Sequence, residues 1–344
     1  MVCIGGILVR KFLFGITAFL LFSITVPIPP DRETCGCAPL SPFGCTSFAV
    51  YADEILYGMN FDYPEVEIRF SIHDHNAMKV FWMEFQQGEG FGATVGMNSE
   101  GLFASCQMLF PERESGTKSN ERDVYAWEVF DEALFGFASV AEVNEFISER
   151  RVIDWVVTLH DLFADVHGDA MVVEVGDQEN VITRIEDDFI VMTNFPNADF
   201  SDASYAEVEG VGADRYKLAY EHILNNLETF DVETGLEVLE RAVSTADYAT
   251  LSSMVFDPGT GEVYIALDRD FTRIWKVSIG DETIETHAGF DRFESMKLDA
   301  SGVLASDLQK MGAGLGFLWG SLVALLVLLG GGGTYLILRR NRAG

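Results

Sequence analysis

Stretches of strand-forming composition come in consecutive runs along this chain, interrupted only by two pairs of segments with helical spacing. Val66–Ile72, Met78–Phe85, Phe91–Met97 and Leu102–Leu109 read as strands, as do Trp155–Ala164, Ala170–Val175, Val181–Ile185 and Phe189–Met192. Thr250–Phe256, Val263–Leu267 and Ile274–Val277 form a third run. Between them, Val124, Trp127, Val129, Phe130 and Leu134 recur at helical spacing, followed by Val140, Val143, Phe146 and Ile147. Asp214–Leu227 and Val232–Ser244 make the second helical pair. Runs of strands and runs of helices, without strict alternation, call for an α+β layered architecture.

The ends of the chain bound this region differently. Phe12–Pro30 is uncharged and follows Arg10 and Lys11, as a signal peptide's apolar segment follows its basic one. It lacks an Ala-x-Ala cleavage signal and is broken by Pro27, Pro29 and Pro30, so a cleaved signal and a retained anchor both fit. Met311–Leu338 carries no charge and precedes Arg339, Arg340 and Arg342. As a helix it would extend roughly 42 Å, enough for a hydrocarbon core of about 30 Å. Basic residues outside both apolar runs place the middle of the chain on the extracytoplasmic side of a cell membrane.

That middle is strongly acidic. All 54 Asp and Glu fall between Asp31 and Asp307, against 18 of the 23 basic residues, a charge of −36. Such a field repels nucleic acid, so no nucleic-acid partner is expected. Only seven residues are Lys, the balance of a surface kept soluble in high salt. Five cysteines are too few for a disulfide framework. Cys35 and Cys37 can pair or leave with a propeptide, whereas Cys45 and Cys106 remain in the body.

Gly44–Tyr63 carries the chemistry. Phe48, Val50, Ile55 and Tyr57 are its strand formers and Ala52-Asp53-Glu54 its turn, so it reads as a β-hairpin ending in Gly-x-Asn-x-Asp. A small residue, then Cys-Thr, then this hairpin, resembles the mature N-terminus of the choloylglycine hydrolase and penicillin V acylase family of N-terminal nucleophile (Ntn) hydrolases. Further motifs follow in the family's order: Asn-x-x-Gly-Leu at residues 98–102, Asp-x-x-Gly-x-x-x-Val-Val-Glu at 165–174, Thr-Asn-x-Pro at 193–196, then Arg215 opening a helix. The resemblance spans Cys45 to Val277. It implies a four-layer αββα sandwich of two antiparallel sheets. The corresponding divisions are 1–30 signal or anchor, 31–44 leader, 45–300 Ntn domain, 301–310 linker, 311–338 transmembrane helix and 339–344 basic tail.

In such a family the chain cuts itself before the cysteine, whose thiol becomes nucleophile and whose new α-amine becomes base. A thiol of pKa about 8.5 and an amine of about 8 are suitably matched. The resemblance therefore gives Cys45 as nucleophile, where residue type alone gives a small buried hydrophobe. It gives Asp62 as holder of the α-amine, where a turn Asp is the ordinary role. Asn194 becomes an oxyanion donor, and the backbone near Gln107 the second. Arg215 becomes a cation beside the thiol, where a helix-face Arg is ordinarily solvated. Met59 departs from the Arg that bile-salt hydrolases carry in Gly-Arg-Asn-x-Asp, which argues against bile-salt or penicillin V preference.

Residues 159–169 are rich in His and Asp, but His160 and Asp161 face opposite sides of a strand. With no His-x-x-x-His or Cys-x-x-Cys spacing and no nucleotide fingerprint, no metal or cofactor is expected. The reading is a membrane-anchored amidase acting on a small N-acyl amide. An acyltransferase that passes the acyl group to an amine, and a catalytically silent binding module, are the alternatives. Oligomeric state is left open.

Overall fold

A computed structural model describes residues 45–311, except 77, 113–115, 155–156, 177–178 and 246. β1 (Thr46–Tyr51) and β2 (Ile55–Asp62) form the expected hairpin around residues 52–54. β3 (Ile68–His75), β4 (Met78–Gln87), β5 (Gly90–Asn98) and β6 (Phe103–Met108) follow as successive antiparallel strands. β7 (Asp123–Tyr125) leads into α1 (Ala126–Gly136) and α2 (Val140–Ser148), and β8 (Arg151–Ile153) returns parallel to β7. Next come β9 (Leu159–Ala164), β10 (Ala170–Glu174), β11 (Val181–Arg184) and β12 (Phe189–Met192). After α3 (Ala213–Asn226) and α4 (Val232–Arg241) the chain forms β13 (Thr250–Asp257), β14 (Glu262–Leu267) and β15 (Ile274–Ser278). β16 (Thr283–Ala288), β17 (Ser295–Lys297), β18 (Val303–Leu304) and α5 (Ala305–Met311) complete the described residues.

Two eight-stranded sheets result, in the orders β12-β1-β2-β13-β14-β15-β16-β17 and β11-β10-β9-β6-β5-β4-β3-β18. Every pairing in both is antiparallel. Period-two alternation sorts the side chains. In the first sheet Ala49, Tyr57, Met59, Met254 and Phe256 point inward, where they meet Phe81, Phe103, Leu162 and Val172 of the second. Phe48, Val50, Leu56 and Val255 point the other way, onto Ala219, Ile223, Val238 and Leu239 of α3 and α4. On the far side, Ala104, Phe163 and Met171 receive Val129, Phe130, Leu134, Val143 and Ile147 of α1 and α2. This is the four-layer αββα arrangement.

Helix starts follow from local capping. Ser139 accepts the Glu142 N–H at the head of α2, and Asp231 accepts the Thr234 N–H at the head of α4. Glu128 reaches back to the Tyr125 N–H before α1 at 2.9 Å. α3 lacks a side-chain cap, Gly212 standing at its N-cap position.

Gly58 sets how closely the α3–α4 layer lies on the first sheet. A Cβ there would meet the Phe48 ring at 2.3 Å, and Phe48 is fully buried against Phe230. Gly58→Ala is therefore expected to cost about 1–3 kcal/mol despite the better strand propensity of Ala. A urea midpoint equal to or above that of the wild type would show that Phe48 can yield.

Three differences from the sequence reading concern boundaries. The strand expected from Trp155 begins at Leu159, and residues 155 and 156 are outside the described set. Residues 303–310, assigned from sequence to a linker, supply β18, which pairs with β3, and all of α5 but its last residue, Met311, which the sequence reading placed in the transmembrane run; α5 buries Leu308. The strands do not end at Val277, because β16 and β17 extend the first sheet. Among the described residues no helix is long and apolar enough to cross a membrane. The run 12–30, and the run 311–338 beyond Met311, lie outside the described residues, as do Cys35 and Cys37.

Candidate active site

The turn after β12, the start of α3, the start of β1 and the end of β2 converge on one buried point. Cys45 stands immediately before β1 and is 8% exposed. Its backbone N–H donates to Asn194 Oδ1 at 3.0 Å. Arg215 Nη2 donates to the same oxygen at 2.7 Å, while Arg215 Nη1 donates to the Cys45 carbonyl and to Thr46 Oγ1 at 2.9 Å. Asp62 lies beyond, its Oδ2 3.5 Å from Arg215 Nη1 and its Oδ1 accepting from Thr250 Oγ1 at 2.5 Å. Cys45, Asp62, Asn194 and Arg215 are thus brought together, all buried.

Arg215 needs these partners. A cation in the first turn of a helix opposes the helix dipole, so α3 itself gives it no support. Gly212 makes room for it. Its φ of +81° is left-handed, and a Cβ there would lie 2.6 Å from Arg215 Nη2 and 3.0 Å from Thr193. Asn194 is fixed at both ends, since Nδ2 donates to the Met108 carbonyl at 2.7 Å and its backbone carbonyl accepts from the Phe110 N–H. With two donors on Oδ1 and an acceptor on Nδ2, its amide orientation is determined.

Gln107 lies in β6 opposite His160 and is buried. Its side-chain oxygen faces the Ser47 N–H at 3.2 Å and its nitrogen the Thr193 carbonyl at 3.3 Å. It ties β6 to β1 two residues beyond Cys45. Met59 is fully buried between the sheets, paired with Ser47 and Met254, and brings no charge to the site. His160 faces the inter-sheet space beside Glu174, whereas Asp161 faces Cys106 on the helix side.

Burial governs the electrostatics. It pushes the Cys45 thiol up to about 12, with the Asp62 carboxylate adding to the rise. The backbone hydrogen bond from Asp62 and the charge of Arg215 oppose it, Arg215 being the weakest of the four influences. Burial likewise raises Asp62 to about 7, against the pull of Arg215, the Thr250 hydroxyl and Arg269. At neutral pH the thiol of this chain is protonated, and needs a base to become a nucleophile.

Two features differ from the sequence expectation. The nitrogen of Cys45 is held by Asn194 and not by Asp62, whose Oδ2 accepts no hydrogen bond among the described residues. Asn194 Nδ2, expected to face an oxyanion, is engaged by the Met108 carbonyl. Sequence reasoning missed Thr250, Thr46 and Arg269, whose Nη1 donates to the Thr250 carbonyl at 2.7 Å. Thr46 stands in the Cys-Thr motif, but nothing in the local sequence marks Thr250 or Arg269, which matter through contacts distant in the chain. Cavities of about 590, 520 and 480 Å³ open elsewhere, none of them lined by the four converging residues.

No protein-family model matches the chain. Argininosuccinate lyase from Syntrophus aciditrophicus aligns at 26% identity over 105 residues, 30% of this chain and 20% of the lyase. The chain therefore spans about a fifth of that curated relative. Among solved structures, a variant of the conjugated bile acid hydrolase from Clostridium perfringens superposes with a TM-score of 0.56 at 16% identity. The match covers 74% of this chain and 97% of the hydrolase. Penicillin V acylase from Agrobacterium tumefaciens gives 0.55 at 16% identity, covering 71% and 92%. At such identities the likeness is one of fold, and the chain has the Ntn-hydrolase fold of these two enzymes.

Proposed function

We propose that this chain is an extracytoplasmic, membrane-anchored cysteine hydrolase of small N-acyl amides, active once it is cut between Gly44 and Cys45. The observation that carries the reading is the convergence of Cys45, Asp62, Asn194 and Arg215 from four separate segments of the chain. Two structural neighbours of the chain are a conjugated bile acid hydrolase and a penicillin V acylase, which supports a linear amide as substrate. Anchoring and sidedness rest on the apolar runs and their basic flanks.

The cut would turn the Cys45 nitrogen from an amide into an amine. That amine takes the thiol proton as sulfur attacks the substrate carbonyl. The C–N bond then breaks, the same proton leaves with the amine product, and a thioester remains on Cys45. Water, deprotonated by the α-amine, attacks the thioester and regenerates the thiol. Asp62 Oδ2, which faces Arg215 at 3.5 Å but accepts no hydrogen bond among the described residues, would hold the ammonium form. Asn194 Nδ2 would exchange the Met108 carbonyl for the oxyanion, and Asn194→Ala is expected to lower kcat about 10²–10³-fold. Initial rates on a chromogenic acyl amide, with circular dichroism as the folding control, test that assignment; an undiminished kcat would remove Asn194 from the oxyanion hole.

The deciding experiment is the mature N-terminus, by intact mass and N-terminal sequencing of wild type and Cys45→Ala. The reading expects a wild-type chain beginning at Cys45, and a mutant uncut there with no acyl-product release. A wild type that keeps Gly44 attached has no α-amine, and the mechanism fails. The buried Met59 favours, in that event, a binding module that retains the fold without the reaction.

A further inference from the structure

The cavity of about 590 Å³ below the C-terminal end of α2 has more cationic than anionic side chains in its wall. In a sequence of net charge −31, three arginines line it: Arg122, Arg150 and Arg151. Asn120, Asn144 and Asn180 also face it. The parallel pairing of β7 with β8 brings these residues together, with Asp123 opposite Arg151 and the Arg151 N–H on the Arg122 carbonyl at 2.9 Å.

The three guanidinium groups are not equivalent. Arg151 Nε is paired with Asp123 at 3.0 Å. The backbone N–H of Ser119, more than any other partner, holds that carboxyl well below its ordinary range, so Arg151 is neutralised throughout the physiological range. Arg122 and Arg150 have no carboxylate within 4 Å among the described residues. Arg122 donates from Nε to the Glu149 carbonyl at 3.0 Å, and Arg150 from Nη1 to the Phe146 carbonyl at 2.7 Å while lying 3.9 Å over the Phe146 ring. These contacts cap the exposed carbonyls of α2, which accounts for the presence of cations there. They use one donor from each fork and leave the remaining N–H groups without an acceptor among the described residues. Glu179 is the other acidic side chain in the wall, and it balances only one of the two charges.

We propose that this cavity binds a phosphate group carried on a small polar molecule, with Arg122 and Arg150 as the anion clamp. Two planar forks lining one cavity suit a tetrahedral oxyanion, whose charge they can share bidentately. Asn120 and Asn144 offer amides to the attached group, and the volume is that of a small-molecule site. None of the residues named touches Cys45, Asp62, Asn194 or Arg215, so the site is separate from the proposed reaction centre and does not depend on it.

The test uses the purified full-length chain at constant ionic strength. Calorimetric titration with inorganic phosphate and with glycerol phosphate is expected to be saturable, while chloride at matched ionic strength gives no isotherm. Phosphate should protect Arg122 and Arg150 from phenylglyoxal, read by peptide mass, but leave Arg184 unprotected, since Arg184 is paired with Asp169 elsewhere. The Arg122→Gln/Arg150→Gln double variant should weaken binding at least tenfold. Protection mapping on the wild type keeps the test valid if that variant folds poorly. Non-saturating titration, uniform protection of all arginines, or unchanged affinity in a folded double variant would each overturn the proposal.

Discussion

Arg215→Met should destabilise the protein by about 3–5 kcal/mol at pH 8 and by roughly 1–1.5 kcal/mol less at pH 5. At pH 8 Asp62, with its pKa of about 7, is mostly ionised and faces Arg215 at 3.5 Å inside the protein. Removing the cation leaves a buried carboxylate supported by the Thr250 hydroxyl and the more weakly acting Arg269. At pH 5 the wild-type carboxyl already holds its proton, so the ion pair contributes little. What is then lost are the hydrogen bonds to the Cys45 carbonyl, Thr46 and Asn194. Adding Asp62→Asn to Arg215→Met should recover part of the loss at pH 8, because the unpaired charge is gone. Denaturant midpoints of the three proteins at both pH values decide the matter. Equal losses at pH 5 and 8 would mean that the pair contributes no charge interaction.

Asp161→Asn should act in the opposite direction and make the protein more stable at pH 8. Burial raises the Asp161 carboxyl from 3.8 to about 8, against a hydrogen bond with Cys106 and with the help of the nearby Asp154. The unfolded chain gives up this proton near pH 4, whereas the folded chain keeps it to about pH 8. Folding therefore takes up a proton between these values, and the stability this group contributes is present below pH 4 and lost as pH rises to about 8. The slope is up to ~1.4 kcal/mol per pH unit, so the total reaches the order of a few kcal/mol. Asn has the shape of the neutral acid and does not titrate. The difference in unfolding free energy between variant and wild type should grow steadily from pH 4 to 8. Parallel curves over that range would show that Asp161 does not carry the shift.

Much of this architecture is legible in the sequence because it is written in local periodicity. The spacing of Val129, Phe130 and Leu134, or the alternation around Phe48 and Val50, reports a face directly. Short elements are silent for the same reason. β7 and β8 have three residues each, and β18 two, too few for any period to register. β16 buries only Ile284 and Thr286 among polar neighbours, so it reads as loop. The four converging side chains are legible through motif order, which locates residues along the chain but does not say which atom of each faces which. That Asn194 gives Oδ1 to Cys45 and Arg215, and Nδ2 to Met108, follows from the packing of three elements at once. Thr250 and Arg269 were invisible because their significance is wholly tertiary.

The spread of the site along the chain also sets a schedule. Cys45 emerges from the ribosome long before its partners. Arg215, which holds its carbonyl, follows 170 residues later, and Thr250, which supports Asp62, is 188 residues beyond that carboxylate. A nascent chain that has only its first sheet strands carries the cysteine but nothing to position it. On the proposed mechanism, the bond before Cys45 survives synthesis and export intact, and its scission marks the moment at which α3 and β13 have docked. The length of the mature protein would then be a record of whether it folded.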